Sequence, residues 1–268
     1  WRLLNTGFLN GPMNMAIDEA IMFSVAEGGA PPTIRLYGWD PFCVSIGYAQ
    51  RMRKEVDVEA CRAKGIDYVR RPTGGRAILH GDELTYSLIV PEADPCASGG
   101  IVESYRRFSM GLLEGLRELG VAAVQADVQR GRLQEKSAAC FDAPSHYEVT
   151  VGGRKLIGSA QMRRRGMVLQ HGTLPLQGDV TRVLDYLRFD SEAQRAALRA
   201  ELKKRATSLE EALGKVIPFE EVAAALAKGF ARSLGIVLQP AELTVHEHQR
   251  AEQLYNEKYG TDDWNFMR

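Results

Sequence analysis

The chain has 268 residues, of which 45% are hydrophobic, and its 34 basic side chains balance 34 acidic ones. This length suits one large domain or one domain with a small appendage, and the neutral balance provides no global field that would attract nucleic acid or an anionic membrane surface. No run approaches the roughly 18 apolar residues of a membrane span, and no basic-then-apolar signal segment opens the sequence as written. Four widely spaced cysteines without a C-x-x-C pair argue against a zinc site and a disulfide scaffold, and favour a reducing cytoplasm.

The first part of the chain alternates helix and strand patterns. Asn10-Gly11-Pro12 predicts a helix entry, apolar residues at helical spacing follow over 13–25, and a Gly-Gly pair ends the helix. Strand patterns follow over 33–37 and 42–46. Asp57 is predicted to cap a short helix that ends at Gly65.

A glycine-rich segment, R-R-P-T-G-G-R-A-I-L-H over 70–80, follows the next apolar run. We call residues 70–76 the glycine turn. Gly74 and Gly75 lack a Cβ, so backbone N–H groups can come close to a ligand above them. Arg71 and Arg76 beside such a turn suit a carboxylate, a phosphate or a carbonyl oxygen. The alternative is a hairpin turn with solvated arginines.

The middle of the chain predicts further strands around one long helix. Residues 84–90 alternate like a half-buried strand, and 101–119 show one apolar helix face closed by a glycine. Residues 125–139 are polar and predict a mobile loop. Strands are predicted over 146–151 and from Arg154 onward, joined by a Gly-Gly hairpin turn, and a further strand over 167–174.

Helical patterns dominate the last third of the chain. They cover 180–187, 191–213, 218–234 and 240–258, with Pro240 placed at a helix start. Hairpin spacing in the earlier part predicts an α/β (α+β) fold with a mixed, largely antiparallel sheet. We expect a catalytic domain over 1–238, sheet-rich to about residue 176 and helical afterwards, and a helical extension over 239–268.

Cys140 is the candidate nucleophile because small residues precede it and Pro144 follows it, a pattern typical of an exposed bend. The alternative is an inert, small apolar side chain. Lys155 begins the return strand of the hairpin, ahead of the small residues Gly158, Ser159 and Ala160, which let a ligand approach closely. An ammonium beside a thiol raises its reactive thiolate fraction. The alternative for this lysine is a solvated charge at a strand end.

Two histidines remain open between a ligand pocket and a hydrogen-bonded core. His80 closes the glycine-rich segment, and His171 lies in Q-H-G-T over 170–173.

Taken together, these motifs resemble the signature of the biotin/lipoate A/B protein ligase superfamily. The resemblance rests on the segment 70–80, on G-R-K-L-I-G-S-A-Q over 153–161 and on 170–173, and it runs from about residue 1 to residue 176. It implies a fold related to class II synthetase cores and biotin protein ligases. The segment C-F-D-A-P-S over 140–145 resembles the cysteine-dependent octanoyltransferases of lipoate biosynthesis within that superfamily.

This second resemblance implies an acyltransferase that needs no cofactor. Cys140 would carry an octanoyl thioester and Lys155 would assist it. Octanoyl-acyl carrier protein would be the donor, and a lysine of a lipoyl domain, such as the glycine cleavage H protein, the acceptor. The expected substrate-binding residues are Arg71, Gly74, Gly75, Arg76, His80, Tyr86, Gly158, Ser159, Ala160, Gln161, His171 and Gly172.

Two other functions stay open from the sequence. An ATP-dependent lipoate or octanoate ligase shares the glycine turn, although Arg76 stands where ligases typically have a third glycine. A non-catalytic module that binds an acyl group or a carrier protein is the second alternative.

Overall fold

The computed structural model describes residues 1–126 and 148–268. Within these ranges, no helix has both the length and the apolar character needed to cross a bilayer. The strands are β1 (Arg2–Leu9), β2 (Thr33–Trp39), β3 (Cys43–Ile46), β4 (Asp67–Arg70), β5 (Ile78–His80), β6 (Glu83–Pro91), β7 (Val124–Ala126), β8 (Glu148–Val151), β9 (Arg154–Arg164), β10 (Met167–Pro175) and β11 (Gln239–Pro240).

The helices lie between and after these strands. They are α1 (Gly11–Ala26), α2 (Met52–Glu55), α3 (Val58–Ala63), α4 (Ile101–Glu118), α5 (Glu192–Arg205), α6 (Leu209–Leu213), α7 (Phe219–Leu234), α8 (Val245–Leu254) and α9 (Asp262–Asn265). Short 3₁₀ segments cover Pro95–Ala97 and Val180–Tyr186, and a π-helical turn covers Tyr255–Tyr259.

The described strands form one large sheet and one small sheet. The large sheet has the order β11-β1-β2-β6-β10-β9-β8-β7, and the small sheet has the order β4-β3-β5. Strands β11, β1 and β2 run parallel, whereas every pairing from β2 to β7 is antiparallel. The predicted mixed, largely antiparallel sheet with flanking helices is therefore confirmed.

Helices cover both faces of the large sheet. The first apolar cluster lies beneath α4 and α7, and the second lies between the sheet, α1 and α8. A third cluster joins the small sheet to the 3₁₀ segment at 180–186 and to α5. Because both faces are covered, β6 is buried along almost its whole length. The prediction of a half-buried strand at 84–90 was therefore wrong.

Helix α1 begins where the sequence predicted a helix. The Asn10 side chain accepts a hydrogen bond from the Met13 N–H at 2.9 Å, which satisfies one of the free N–H groups of the first turn. The helix lies between the sheet and α8, so its polar residues are buried as well as its apolar ones. Asp18 and Glu19 are consequently carried into the interior.

The predicted helix over 191–213 is two helices. The chain leaves α5 at Ala206 and begins α6 after Ser208. Between them, Ala206 bridges to Lys155, and the Thr207 N–H donates to the Lys155 carbonyl oxygen at 2.9 Å. The break therefore holds the start of β9 in place.

The prediction of a helix start at Pro240 was wrong. Pro240 lies in β11 beside β1, and α8 begins at Val245 after a capping box formed by Thr244 and Glu247. The buried Glu247 also forms an ion pair with Arg2. Proline is tolerated in β11 because it is a two-residue edge strand.

Candidate active site

A cavity of about 330 Å³ lies on the face of the large sheet that α1 covers. Strands β6, β10 and β9 contribute its floor, and the small sheet and the glycine turn contribute its opposite wall. Its lining consists of Met15, Trp39, Ser45, Arg71, Gly75, Arg76, Ile78, His80, Thr85, Lys155, Gly158, Ser159, Ala160, His171, Gly172 and Thr173.

Strand register explains why distant motifs meet here. Thr173 of β10 lies opposite Thr85 of β6 on one side and Gly158 of β9 on the other. His171, two residues earlier on β10, lies opposite Ala160. Side chains two residues apart on a strand point to the same face. The cross-strand row through Thr173 and the row through His171 therefore both form the cavity floor.

The guanidinium of Arg71 holds the glycine turn together. It donates to the carbonyl oxygens of Gly74, at 2.9 Å, and Arg76, at 2.7 Å, and to the Ser45 hydroxyl at 3.0 Å. Gly75 has a φ of +97°, and a Cβ there would lie 2.6 Å from the Arg71 guanidinium. Arg71 therefore binds carbonyl oxygens, including two of its own turn, and these hydrogen bonds shape the backbone above the cavity.

Arg70 fastens the glycine turn to the C-terminal part of the chain. Its guanidinium donates to the carbonyl oxygens of Tyr48 and Gln50, both at 2.7 Å, and of Asn265 at 2.9 Å. The Arg70 N–H donates to Asn265 Oδ1 at 2.7 Å, and the Trp264 indole donates to the Arg70 carbonyl at 2.9 Å. Helix α9 therefore supports the turn from the side away from the cavity.

Lys155 is buried at the start of β9, with 4% of its surface exposed. Its ammonium donates to Glu148 Oε1 at 2.6 Å, across the hairpin that joins β8 to β9. A register shift in this hairpin marks a β-bulge, a feature that bends a strand and redirects its side chains. A carboxylate partner offsets the cost of burying an ammonium in such a place. The solvated alternative for this lysine does not match its burial.

A buried hydrogen-bond network supports His171. Asp18 of α1 accepts from Arg35 at 2.8 Å and from Ser87 at 2.8 Å, and its Oδ2 lies 3.6 Å from His171 Nδ1. The other ring nitrogen of His171 lies 2.6 Å from the Thr73 hydroxyl of the glycine turn. The imidazole therefore joins the cavity floor to the turn.

Burial and charge oppose each other in this network. Burial alone would raise the pKa of Asp18, but Arg35 and His171 outweigh it, so the pKa of the carboxyl falls below its usual value. For His171 burial prevails over the attraction of Asp18 and lowers the pKa of the imidazole. A carboxylate beside a neutral imidazole follows, with the ring proton favoured on the nitrogen that faces Asp18.

His80 is held by a second set of buried partners. Its Nδ1 lies 2.6 Å from Glu83 Oε1 and its Nε2 lies 2.7 Å from the Ser45 hydroxyl. Its ring stacks on Trp39 with centroids 3.9 Å apart. The Trp39 indole donates to Thr85 at 2.8 Å, and Thr85 donates to Glu83 at 2.7 Å, which closes the network. Both histidines are thus hydrogen-bonded and also line the cavity, so the two alternatives for them coincide.

Three of the expected substrate-binding residues are not part of the cavity lining. Tyr86 is fully buried, and its hydroxyl lies 2.8 Å from Ser159 Oγ. Gln161 donates to Gln170 at 3.0 Å, and Gln170 donates to Tyr86 at 2.9 Å. This chain of hydrogen bonds lies behind Ser159. The third residue, Gly74, is exposed at the tip of the glycine turn.

Cys140 lies outside the described residues, as do most of the residues expected to form a mobile loop before it. The other three cysteines are poor nucleophiles. Burial raises the pKa of Cys43 well above its usual value, that of Cys61 to about 12 and that of Cys96 to about 11. Thiols with such values carry almost no thiolate at neutral pH.

Several lining residues were not predicted as site residues from the sequence, among them Met15, Trp39, Ser45, Thr85 and Thr173. Asp18 and Glu148, which hold His171 and Lys155, were missed as well. Asp18 could have been recognised from its position, because an acidic residue within an apolar helix indicates a buried charge. Glu148 carried no such indication, because a glutamate next to a polar segment usually faces solvent.

Comparisons with known proteins agree on one family. The family model for the lipoyl protein ligase A/B catalytic domain matches residues 10–231. The octanoyltransferase LipM of Kyrpidia tusciae is 51% identical, with 100% of this chain and 99% of that protein covered. The octanoyltransferase LipM of Symbiobacterium thermophilum is 48% identical, with 100% and 98% covered.

A solved structure shows the same fold. The bi-partite lipoate protein ligase of Thermoplasma acidophilum superimposes with a TM-score of 0.82 at 26% identity, covering 99% of this chain and 95% of that one. The resemblance inferred from the motifs is confirmed by relatives that span the whole sequence. The chain belongs to the lipoyl protein ligase A/B catalytic domain family.

Proposed function

We propose that this chain transfers an octanoyl group from acyl carrier protein to a lysine of a lipoyl carrier domain, such as the glycine cleavage H protein, in lipoate biosynthesis. It is an acyltransferase, as its full-length octanoyltransferase relatives indicate. The observation that carries the proposal is the position of Lys155, buried against Glu148 on the wall of the cavity that the glycine turn covers.

The reaction takes place in two displacements at one carbonyl carbon. The Cys140 thiolate attacks the octanoyl thioester of the carrier, so a new C–S bond forms while the old one breaks and the carrier thiolate takes up a proton. The neutral amine of the acceptor lysine then attacks the acyl-enzyme. A C–N bond forms, the C–S bond to Cys140 breaks, and the proton lost by the amine restores the thiol. The Lys155 ammonium stabilises the thiolate before the first displacement.

The cavity suits an acyl chain of moderate length. Burying the methylenes of an octanoyl group, at about 0.8 kcal/mol each, supplies roughly 5 kcal/mol of binding free energy. The proposed substrate-binding residues are those expected from the sequence, of which Arg71, Gly75, Arg76, His80, Gly158, Ser159, Ala160, His171 and Gly172 line the cavity. A reducing compartment such as the cytoplasm keeps a Cys140 thiol available for this chemistry.

We further propose that residues 239–268 are an extension of the catalytic domain over 1–238. The family model ends at residue 231, before this segment. Support for a role of the extension comes from α9, whose Asn265 and Trp264 hold Arg70 at the base of the glycine turn.

The proposal is tested by incubating the protein with octanoyl-acyl carrier protein and weighing it intact. The expected result is one octanoyl adduct, which Cys140→Ala abolishes and the matched control Cys96→Ala retains. Transfer to a lipoyl domain should require the same cysteine. Failure of the wild type to form an adduct, or survival of the adduct in Cys140→Ala, would contradict the proposal.

The ligase alternative has one observation in its favour, the close superposition on a lipoate protein ligase. A ligase activates free acid with ATP and releases pyrophosphate. The proposed transferase releases none when it is given octanoate and ATP, so a pyrophosphate assay separates the two. The identity of 51% to an octanoyltransferase over the full chain favours transfer.

A further inference from the structure

The hydroxyl of Thr173 is buried in the cavity floor, and the residues that the structure describes provide no hydrogen-bond partner for it. Thr173 has 1% of its surface exposed and belongs to the cavity lining. Among residues 1–126 and 148–268, no polar atom forms a hydrogen bond with its Oγ1. Most buried polar side-chain atoms in proteins have a partner, so an exception inside a cavity points to a ligand.

Thr85, the threonine next to Thr173 across the strand pair, differs because its hydroxyl has hydrogen-bond partners. Thr85 lies opposite Thr173 on β6, and its hydroxyl accepts from Trp39 at 2.8 Å and donates to Glu83 at 2.7 Å. That hydroxyl is occupied by the protein itself. Of these two neighbouring threonines, Thr173 is therefore the one whose hydroxyl is available to a substrate.

Thr173 also shares its face of the sheet with the Lys155 ammonium. Its partner across the other strand pair is Gly158, and a Cβ built at Gly158 would lie 3.6 Å from Lys155 Nζ. Directly opposed β-carbons in an antiparallel pair are about 4.5–5.5 Å apart, so Lys155 Nζ lies within roughly 9 Å of the Thr173 β-carbon. The ammonium is therefore near enough to favour negative charge on an oxygen that binds at Thr173.

We propose that the Thr173 hydroxyl donates a hydrogen bond to the carbonyl oxygen of the acyl group, an assignment that rests on the proposed octanoyl transfer. When sulfur attacks the carbonyl carbon, the electron pair of the C=O π bond moves onto that oxygen. It returns when the C–S bond to the carrier breaks. The hydrogen bond strengthens while the oxygen bears the charge, and the nearby ammonium favours the same charge.

The test compares Thr173→Val and Thr173→Ser with the wild type in single-turnover acylation. Valine keeps the shape of the side chain and removes the donor. Thr173→Val should form the octanoyl enzyme about 100-fold more slowly, in line with the loss of one oxyanion donor. Thr173→Ser retains the donor and should recover most of the rate.

Stability separates this role from a structural one. Thr173→Val removes a buried hydroxyl that has no partner among the described residues, so its melting temperature should equal or exceed that of the wild type. The matched variant Thr85→Val removes a hydroxyl with two partners and should melt at a lower temperature. A marked fall in the melting temperature of Thr173→Val would show a structural hydrogen bond and overturn the assignment.

A spectroscopic measurement reports on the hydrogen bond itself. In the octanoyl enzyme prepared with a ¹³C-labelled carbonyl, the infrared carbonyl band should move to higher wavenumber in Thr173→Val and stay in place in Thr173→Ser. An unchanged band, or a Thr173→Val acylation rate equal to that of the wild type, would overturn the assignment and leave octanoyl transfer intact. Absence of acylation in the wild type would overturn both.

Discussion

The Lys155 side chain packs against the position that a β-carbon on Gly158 would take. A Cβ built there would lie 3.2 Å from Lys155 Cε, closer than side chains normally approach. A side chain at position 158 would therefore crowd the lysine that is the candidate catalytic residue.

Gly158→Ala should lower the rate of acyl-enzyme formation by about tenfold while the protein stays folded. The added methyl displaces the ammonium by a few tenths of an ångström, and misplacement of a catalytic group is costly to the rate. Single-turnover mass spectrometry measures the rate. The matched control is Gly29→Ala, where the new Cβ would lie 3.3 Å from Ser24 Oγ, outside the cavity. Equal rates in both variants would contradict the idea that Gly158 makes room for Lys155.

Glu148→Gln should destabilise the fold by about 3–5 kcal/mol, because it removes the carboxylate partner of a buried ammonium. Acylation should slow as well, since the ammonium loses its hydrogen bond to Glu148. Urea unfolding monitored by circular dichroism measures the stability. The control is Glu211→Gln, which breaks the half-exposed ion pair with Arg154 and should cost less than about 1 kcal/mol. A loss no larger than the control's would argue that the buried pair contributes little.

His171 should make the protein less stable as the pH falls from neutral towards 5. Its pKa in the folded protein is lowered by burial, so the unfolded chain binds a proton at a higher pH than the folded one. The contribution to stability is therefore complete above the unfolded value of about 6.5 and is lost as the pH falls towards the folded value. Urea midpoints between pH 7.5 and 5 should fall less steeply in His171→Asn than in the wild type. Parallel curves for the two proteins would exclude this origin.

Asn265→Ala should destabilise the protein by about 2–3 kcal/mol, since it removes three hydrogen bonds of about 1 kcal/mol each. The side chain accepts from Arg70 N–H at 2.7 Å and donates to the carbonyls of Tyr259, at 2.9 Å, and Thr261, at 3.0 Å. Hydrogen exchange at the glycine turn should accelerate together with the loss of stability. Asp263→Ala, at an exposed position on the same helix, is the control. Unchanged exchange at 70–76 would show that α9 does not support the turn.

Local sequence patterns predicted the elements that depend on local interactions. The Asn10 cap of α1, the Asp57 cap of α3 and the Gly-Gly hairpin at 152–153 appear where the residues indicated. The burial of β6 and the placement of Pro240 were predicted wrongly, because both depend on which elements cover or pair with them. Such contacts are not encoded in the spacing of neighbouring residues.

In the candidate site, too, features set by neighbouring residues were predicted and features set by distant contacts were not. The motifs at 70–76, 158–160 and 171–172 were recognised from their residues, and strand register brings them to one cavity. The supporting groups were not recognised, because Asp18 and Glu148 acquire their roles only when distant segments enclose them. Thr173 lies inside a recognised motif, but only the structure shows that its hydroxyl has no partner within 1–126 and 148–268.

The hydrogen bond that the Arg70 N–H donates to Asn265 joins residues 195 positions apart. During synthesis on the ribosome, the base of the glycine turn therefore cannot form its hydrogen bonds to α9 until that helix has emerged. The sheet and its long helices can assemble earlier, because their partners are already available. The final geometry of the glycine turn is therefore reached only after α9 has been synthesised.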